Sequence, residues 1–273
     1  MSEQTVIEKT KTPNTISTLI CDFKNLGIKP GMTLLVHSSL SSIGWVCGGA
    51  VSVIKALEEV LTAEGTLVMP AHSCSLSDPS LWQFPPVPES WWQTIKDEMP
   101  VFNKDLTPTQ GMGAIAETFR KQSGVVRSSH PQCSFAAWGR NKDYVIQDSH
   151  YDFAQNDKSP LGRVYELDGH VLMLGTSYEE NTSLHLAEYR SSYKGKVNVK
   201  DGFAVIKDGR RTWLETEDIL YRDDDFEQIG SDFEKQCDVK VSKVGNAECR
   251  LMSQRNLVDF ATNWMNENRN FSE

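Results

Sequence analysis

The sequence predicts an α/β fold, a mixed central sheet flanked by helices, from three observations. Thr33–Val36 (T-L-L-V) and Thr66–Pro70 (T-L-V-M-P) are short, continuously apolar runs on either side of an amphipathic stretch, Gly49–Leu61. That is a strand–helix–strand unit, and strands apolar at every position belong to a parallel sheet covered on both faces. A further run of the same kind, His170–Gly175 (H-V-L-M-L-G), adds another buried strand. The tail reads differently: Phe203–Ile206 and Arg211–Leu214 flank Asp208–Gly209, a hairpin signal that brings antiparallel strands into the C-terminal part.

The remaining elements follow in order. Residues 1–13 read as a loose arm. Asn14 or Thr15 caps a helix whose apolar face is Ile16, Leu19, Ile20 and Phe23, and Gly27 ends it. Pro30–Gly31 turns the chain into the first strand, which delivers His37, Ser38 and Ser39 at its C-terminal end. In Gly49–Leu61 the positions Val53, Ile54, Leu57, Val60 and Leu61 form one helical face. Residues 75–108 are irregular, proline-rich and carry Trp82, Trp91 and Trp92; a long loop inside a compact domain is usually functional, here a wall over a pocket. Gly113–Lys121 reads as helix, Ser134–Trp138 as strand, and Phe226–Cys237 and Val258–Asn268 as helices. The expectation is one domain over 1–273, with a hairpin-plus-helix part from about residue 200.

Composition narrows the function. With 39% hydrophobic and 24% charged residues in 273, the chain suits a globular protein with a substantial core. No apolar run approaches the roughly 20 residues of a membrane helix, and the polar N-terminus carries no secretory signal, so the cytoplasm is the expected compartment. Six scattered cysteines without a C-x-x-C pair predict free, largely buried thiols and no metal site. A net charge of −9 argues against a nucleic-acid partner. It would favour a cationic small-molecule substrate, although solubility is the better account of most of the acidic excess.

Four stretches could carry chemistry. In Asn181–Arg190 (N-T-S-L-H-L-A-E-Y-R), Asn181 or Thr182 caps a helix that places His185 and Glu188 on one face. A carboxylate beside an imidazole fixes its tautomer and stabilises its protonated form, as a general base requires, but most such pairs are solvated surface pairs. His37 to Ala50 (H-S-S-L-S-S-I-G-W-V-C-G-G-A) sets small residues at a strand end and Gly48–Gly49 at a helix start, where N–H groups can meet an anion. Its spacing is neither a P-loop nor G-x-G-x-x-G, and it reads equally well as a packing turn. Thr107–Gly113 (T-P-T-Q-G-M-G) is a similar junction. In Arg127–Ser134 (R-S-S-H-P-Q-C-S), Arg127 could meet a phosphate, and His130 before Pro131 is held extended. Without a G-x-S-x-G elbow, nothing supports Ser38 or Ser39, nor Cys47 or Cys74, as a nucleophile.

Taken together and in order, these motifs, with G-T-L-V-M-P, D-P-S-L-W, P-P-V-P-E-S-W-W and S-P-L-G, resemble the aminoglycoside N3-acetyltransferase family from about residue 14 to 265. The resemblance is strongest to its Bacillus YokD-like group. It implies that family's own mixed α/β fold, distinct from the common acetyltransferase superfamily. It also implies acetyl transfer from acetyl-CoA to the 3-amino group of a 2-deoxystreptamine ring, without a metal. His185 and Glu188 fall on the family's catalytic pair. The coenzyme would be held by Ser38, Ser39, Leu40, Gly44, Gly48, Gly49, Thr107, Thr109, Gly111, Met112 and Gly113, with His37 and Arg127 also at motif positions. Asp78, Glu89, Asp152 and Glu180 lie near motif segments and are candidates to bind the cationic acceptor. Monomer and homodimer both remain open.

Overall fold

In the computed structural model, which describes residues 2–147 and 150–271, the elements follow the chain as alternating layers. The expected loose arm instead contains α1 (Glu3–Lys9), capped by Ser2 and burying nothing of its own. It has no apolar periodicity to reveal it; its C-terminal end is tied down by Trp45 N donating to Thr10 Oγ1 at 2.8 Å and Asn246 Nδ2 to Lys9 O at 3.1 Å. A Thr15–Thr18 capping box starts α2 (Ile16–Leu26), and Gly27 at φ 106° stops it. Then come β1 (Thr33–Ser38), the one-turn α3 (Leu40–Ile43), α4 (Gly49–Leu61) and β2 (Thr66–Pro70).

The proline-rich span holds only short 3₁₀ turns and α5 (Trp92–Glu98); α6 (Gly113–Phe119), β3 (Val126–Arg127) and β4 (Phe135–Gly139) follow. Next are α7 (Lys142–Val145), α8 (Pro160–Glu166), β5 (His170–Leu174) and α9 (Ser183–Arg190). The C-terminal part comprises β6 (Asn198–Lys207), β7 (Arg210–Ile219), α10 (Phe226–Gln236), β8 (Val239–Val244), β9 (Ala247–Ser253) and α11 (Gln254–Asn268).

The main sheet runs β3-β4-β2-β1-β5-β9-β8. Its centre is parallel: β1 pairs with β2 (Leu35 opposite Val68) and with β5 (Val36 opposite Leu172). β4, β3, β9 and β8 extend it in antiparallel sense, so the sheet is mixed. The central strands feed two cores by alternation. Leu34, Val36, Leu67 and Met69 face α2, α4 and α6 through Phe23, Ile54, Leu57 and Phe119. Leu35, Val68, Val171 and Met173 face α8 to α11 through Leu161, Leu184, Phe233 and Leu257. Burial on both faces is why these strands read as unbroken apolar runs. In α2, Leu19, Phe23 and Leu26 are buried while Ile16, expected on that face, is 41% exposed.

β6 and β7 form a separate two-stranded ribbon. Asp208 and Gly209 both have positive φ, 51° and 74°, as a two-residue type I′ hairpin turn requires. The proline-rich span leans on this ribbon: Arg211 Nε donates to Met99 O at 2.9 Å, and Asp78 N to Asp201 Oδ1 at 2.8 Å. The six cysteines are free, and Cys21, Cys47 and Cys74 are exposed, contrary to the burial expected of them. Among the described residues, no helix is long and apolar enough to cross a membrane.

One close packing contact sets how α10 meets the turn leading into α9. A Cβ on Gly230 would fall inside the ring of Tyr178, which is itself buried. Gly230→Ala is therefore expected to destabilise the fold by about 1–3 kcal/mol, the usual cost of overpacking. Chemical denaturation measures this, and an unchanged midpoint would contradict it.

Candidate active site

The site begins at α9. Asn181 Oδ1 accepts a bond from Ser183 N at 3.1 Å, so Asn181 satisfies the first turn and Thr182, the N-cap residue, makes no side-chain cap bond. On the helix, His185 Nδ1 and Glu188 Oε2 are 2.6 Å apart. Glu188 is fully buried, and its other oxygen, Oε1, accepts from Arg269 at 2.7 Å and from Arg222 N at 3.0 Å. An ionised carboxylate only accepts, so the Nδ1 of neutral His185 carries the proton and Nε2 presents a lone pair. Nε2 has no hydrogen-bond partner among the described residues. The ring is set between Tyr221 and Phe226, with centroids 4.6 and 5.0 Å away.

Two more buried histidines stand near His185. His37, at the end of β1, lies 3.4 Å from Thr182 Oγ1, and His72, just after β2, has a buried Nε2 without a partner. Burial first, and the neighbouring His185 second, push both imidazoles down to about 3, so they stay neutral. His130 is lowered by burial as well. Its Nδ1 accepts from Cys133 N at 3.0 Å and its Nε2 donates to Tyr151 O at 3.2 Å, bonds that make it structural.

At the C-terminal end of β1 a cleft of about 630 Å³ opens, where open α/β sheets bind ligands. Ser38, Ser39, Leu40, Gly44, Gly49, Gly111 and Gly113, all expected at the coenzyme, line it, and so do Glu180 and, unexpectedly, Glu3 and Val6 of α1. Among the described residues its lining contains no lysine or arginine. What it offers an anion is the start of α4, a helix of 13 residues with no side-chain cap; Gly49 N donates to Val46 O at 2.9 Å, which leaves the N–H groups after it in the first turn. Gly49 and Gly111 have empty space where a Cβ would sit.

The other predicted coenzyme residues do not line this cleft. Arg127 spends its five N–H donors inside the protein, on Ser134 Oγ, Ser73 Oγ and the carbonyls of Ala71, Lys104 and Thr107, leaving none for a phosphate. Thr109 Oγ1 donates to Glu117 at 2.7 Å, and Thr107 Oγ1 accepts from Asn103 N at 2.9 Å. Met112 packs against the core, His37 is buried behind the strand end, and Gly48 faces Ser52.

The predicted acceptor carboxylates are scattered. Asp78 pairs with Lys96 at 2.5 Å, Asp152 accepts from Glu217 N, Glu180 caps its own turn through Ser177, and Glu89 is solvent-exposed. The structure instead brings Asp218 of the β6–β7 ribbon to the site through Tyr221, with Asp201 on the paired strand. Asp218 accepts from Tyr189 and Tyr221, the latter against the His185 ring, and from Ile219 N and Ala154 N. Asp201 accepts from Gln132, Asp78 N and Gly202 N. Counting back from the D-G turn fixes the pairing Asp201–Thr216 and Val199–Asp218, the sequence signal for these two. Tyr221, Arg222, Phe226 and Arg269 sit in no local motif.

A sequence model of the family described as aminoglycoside 3-N-acetyltransferase matches residues 35–266. The chain belongs to this family. It is similar to the SPbeta prophage-derived aminoglycoside N(3')-acetyltransferase-like protein YokD of Bacillus subtilis (strain 168), 46% identical over 98% of this chain and 99% of that one. The crystal structure of YokD superposes with a TM-score of 0.95, covering 98% of this chain and 100% of that one. Aminoglycoside N(3)-acetyltransferase VII of Streptomyces paromomycinus is 32% identical over 98% and 96% of the two chains. A structure of AAC-VIa bound to sisomicin, 26% identical, gives a TM-score of 0.85 over 94% and 98%. The chain is thus an acetyltransferase of this family, with its mixed α/β fold.

The buried histidines make stability pH-dependent. An unfolded imidazole takes up a proton below about pH 6.5, whereas folded His37 and His72 stay neutral down to about 3, so the unfolded state binds more protons between those limits. Stability therefore falls with pH across that window, by about 1.4 kcal/mol per pH unit for each histidine. Replacing His37 by Gln is expected to flatten the decline between about pH 6 and 4 by one histidine's share. Denaturant unfolding at several pH values tests this; an unaltered slope would contradict it.

Proposed function

We propose that the chain transfers the acetyl group of acetyl-CoA directly, in a ternary complex, to the 3-amino group of a 2-deoxystreptamine aminoglycoside, with His185 as general base. The observation that carries this reading is the Glu188–His185 pair: a fully buried carboxylate bonded to Nδ1 at 2.6 Å, with Nε2 unpaired among the described residues. An aminoglycoside amine is mostly an ammonium at neutral pH and must lose a proton to attack. Nε2 takes that proton as the nitrogen bonds to the thioester carbonyl carbon; the carbon–sulfur bond then breaks, the sulfur takes up the second proton that the nitrogen sheds on becoming an amide, and the thiol leaves. Glu188 holds the imidazole in the accepting tautomer and stabilises the imidazolium that results.

The cleft beside β1 suits the coenzyme. With no cationic side chain in its lining among the described residues, its contribution to phosphate binding is N–H groups at the start of α4, and N–H donors of the glycine loops are candidates to meet the oxyanion. The names of the Streptomyces relative and of the sisomicin-bound structure support the acceptor class. The cytoplasm, where acetyl-CoA is made and used, is the setting that fits the reaction.

One observation favours a second reading, a less highly charged amine as acceptor. Asp78, Asp201 and Asp218 are all engaged by protein donors, so fewer free carboxylates await a polycation. The reaction chemistry is the same in both readings.

A general base contributes roughly 10²–10⁴-fold to turnover. His185→Ala is expected to lower kcat by that order, followed as thiol release from acetyl-CoA, while calorimetry shows CoA still binding. Undiminished turnover would overturn the assignment of the base.

A further inference from the structure

Arg269 lies just beyond α11, far along the chain from α9, yet its guanidinium is buried beneath the catalytic pair. One terminal nitrogen donates to Glu188 Oε1 at 2.7 Å. Nε and the other terminal nitrogen grip Asp225 at 2.8 and 2.6 Å, and the latter also reaches Arg222 O at 2.8 Å. Glu188 thus has one oxygen on His185 and the other on Arg269, with no exposure to water. We propose that Arg269 is a positioning residue for the acyl transfer, keeping Glu188 ionised and aimed at Nδ1 of His185, with Asp225 holding Arg269 in place. The proposal rests on the reading of His185 as the general base.

The argument is one of buried charge. A carboxylate out of water needs a fixed countercharge or it takes up a proton. Protonated Glu188 could not stabilise an imidazolium, so the base would lose its partner. Burial works against the guanidinium, but Asp225 and Glu188 outweigh it and raise Arg269 above its ordinary range, so it stays cationic. With His185 neutral, Arg269, Asp225 and Glu188 together carry one net negative charge, and a proton on His185 cancels it.

The other groups facing the pair do not replace this charge. Lys196 spends its three donors on the carbonyls of Glu188, Tyr189 and Ser191. Arg222 meets Glu188 through its backbone N–H, its guanidinium lying over Phe271. From β1 and the end of β2, His37 and His72 remain neutral. Tyr189, Tyr193 and Tyr221 are pushed up, chiefly by burial, and stay protonated, and Asp218 reaches the pair only through Tyr221.

Two variants with opposite signs test the proposal. Arg269→Met strips the site of the countercharge of Glu188, so the coupled Glu188–His185 pair takes up its proton at higher pH and the acid limb of the kcat–pH profile should move up by about one pH unit or more, with rate recovering at high pH. Asp225→Asn makes it less negative, and the limb should move down. Nitrogen NMR of the His185 imidazole across the same pH range, its signal identified by its loss in His185→Gln, should shift in the same two directions. That readout needs no acceptor, so it decides the role of Arg269 even if acetyl transfer fails. Thermal unfolding and CoA binding monitor folding; should Arg269→Met not fold, Asp225→Asn and Arg269→Lys, which keeps the charge and the limb near its original position, decide. Rates lowered equally at every pH, with limb and NMR midpoint unmoved, would reduce Arg269 to a structural cross-link and overturn the proposal.

Discussion

The proposed catalytic centre depends on one buried carboxylate. Glu188 is fully shielded from water, and each of its oxygens is fixed, one by His185 and the other by Arg269 and the Arg222 N–H. A lone charge there would be costly; the paired charge is tolerated because its hydrogen bonds are satisfied and its countercharge is itself held by Asp225. The constraint reaches across the molecule, since α9, the loop before α10 and the end of α11 must converge on it. The second core, which packs α8 to α11 on one face of the sheet, provides that convergence.

The cleft proposed to hold the coenzyme is built on the opposite face by different means. Here the parallel strands end in small residues, α4 begins without a side-chain cap, and α1 closes over one side. Cationic side chains are absent from this lining among the described residues, so the proposed phosphate recognition falls to backbone dipoles and shape. β1 joins the two halves: Ser38 faces the cleft, and His37, on the other side of the strand, touches the helix that carries His185.

Much of this was legible in the chain because it is encoded locally. The strand–helix–strand unit, the D-G hairpin and the i, i+3 spacing of His185 and Glu188 depend on residues a few positions apart, and the structure reproduces Gly49–Leu61 and Thr66–Pro70 to the residue. The partners of Glu188 were not legible, because Arg269 is brought there only by the packing of α11. Arg127 misled for the reverse reason: an arginine in a polar turn suggests a phosphate, and nothing local shows that β3 buries it among carbonyls. The β8–β9 hairpin escaped notice because β8 is an edge strand with exposed Lys240 and Lys243 on its two faces, so only part of its pattern is apolar.

The most direct test of the account is the structure of the product. A 2-deoxystreptamine aminoglycoside such as sisomicin, incubated with acetyl-CoA and the protein, should yield a single new acetamide at the 3-amino group by NMR, with one thiol released per acetyl transferred. An acetyl group on another amine or on a hydroxyl would contradict it. So would no product at all from a protein that binds CoA.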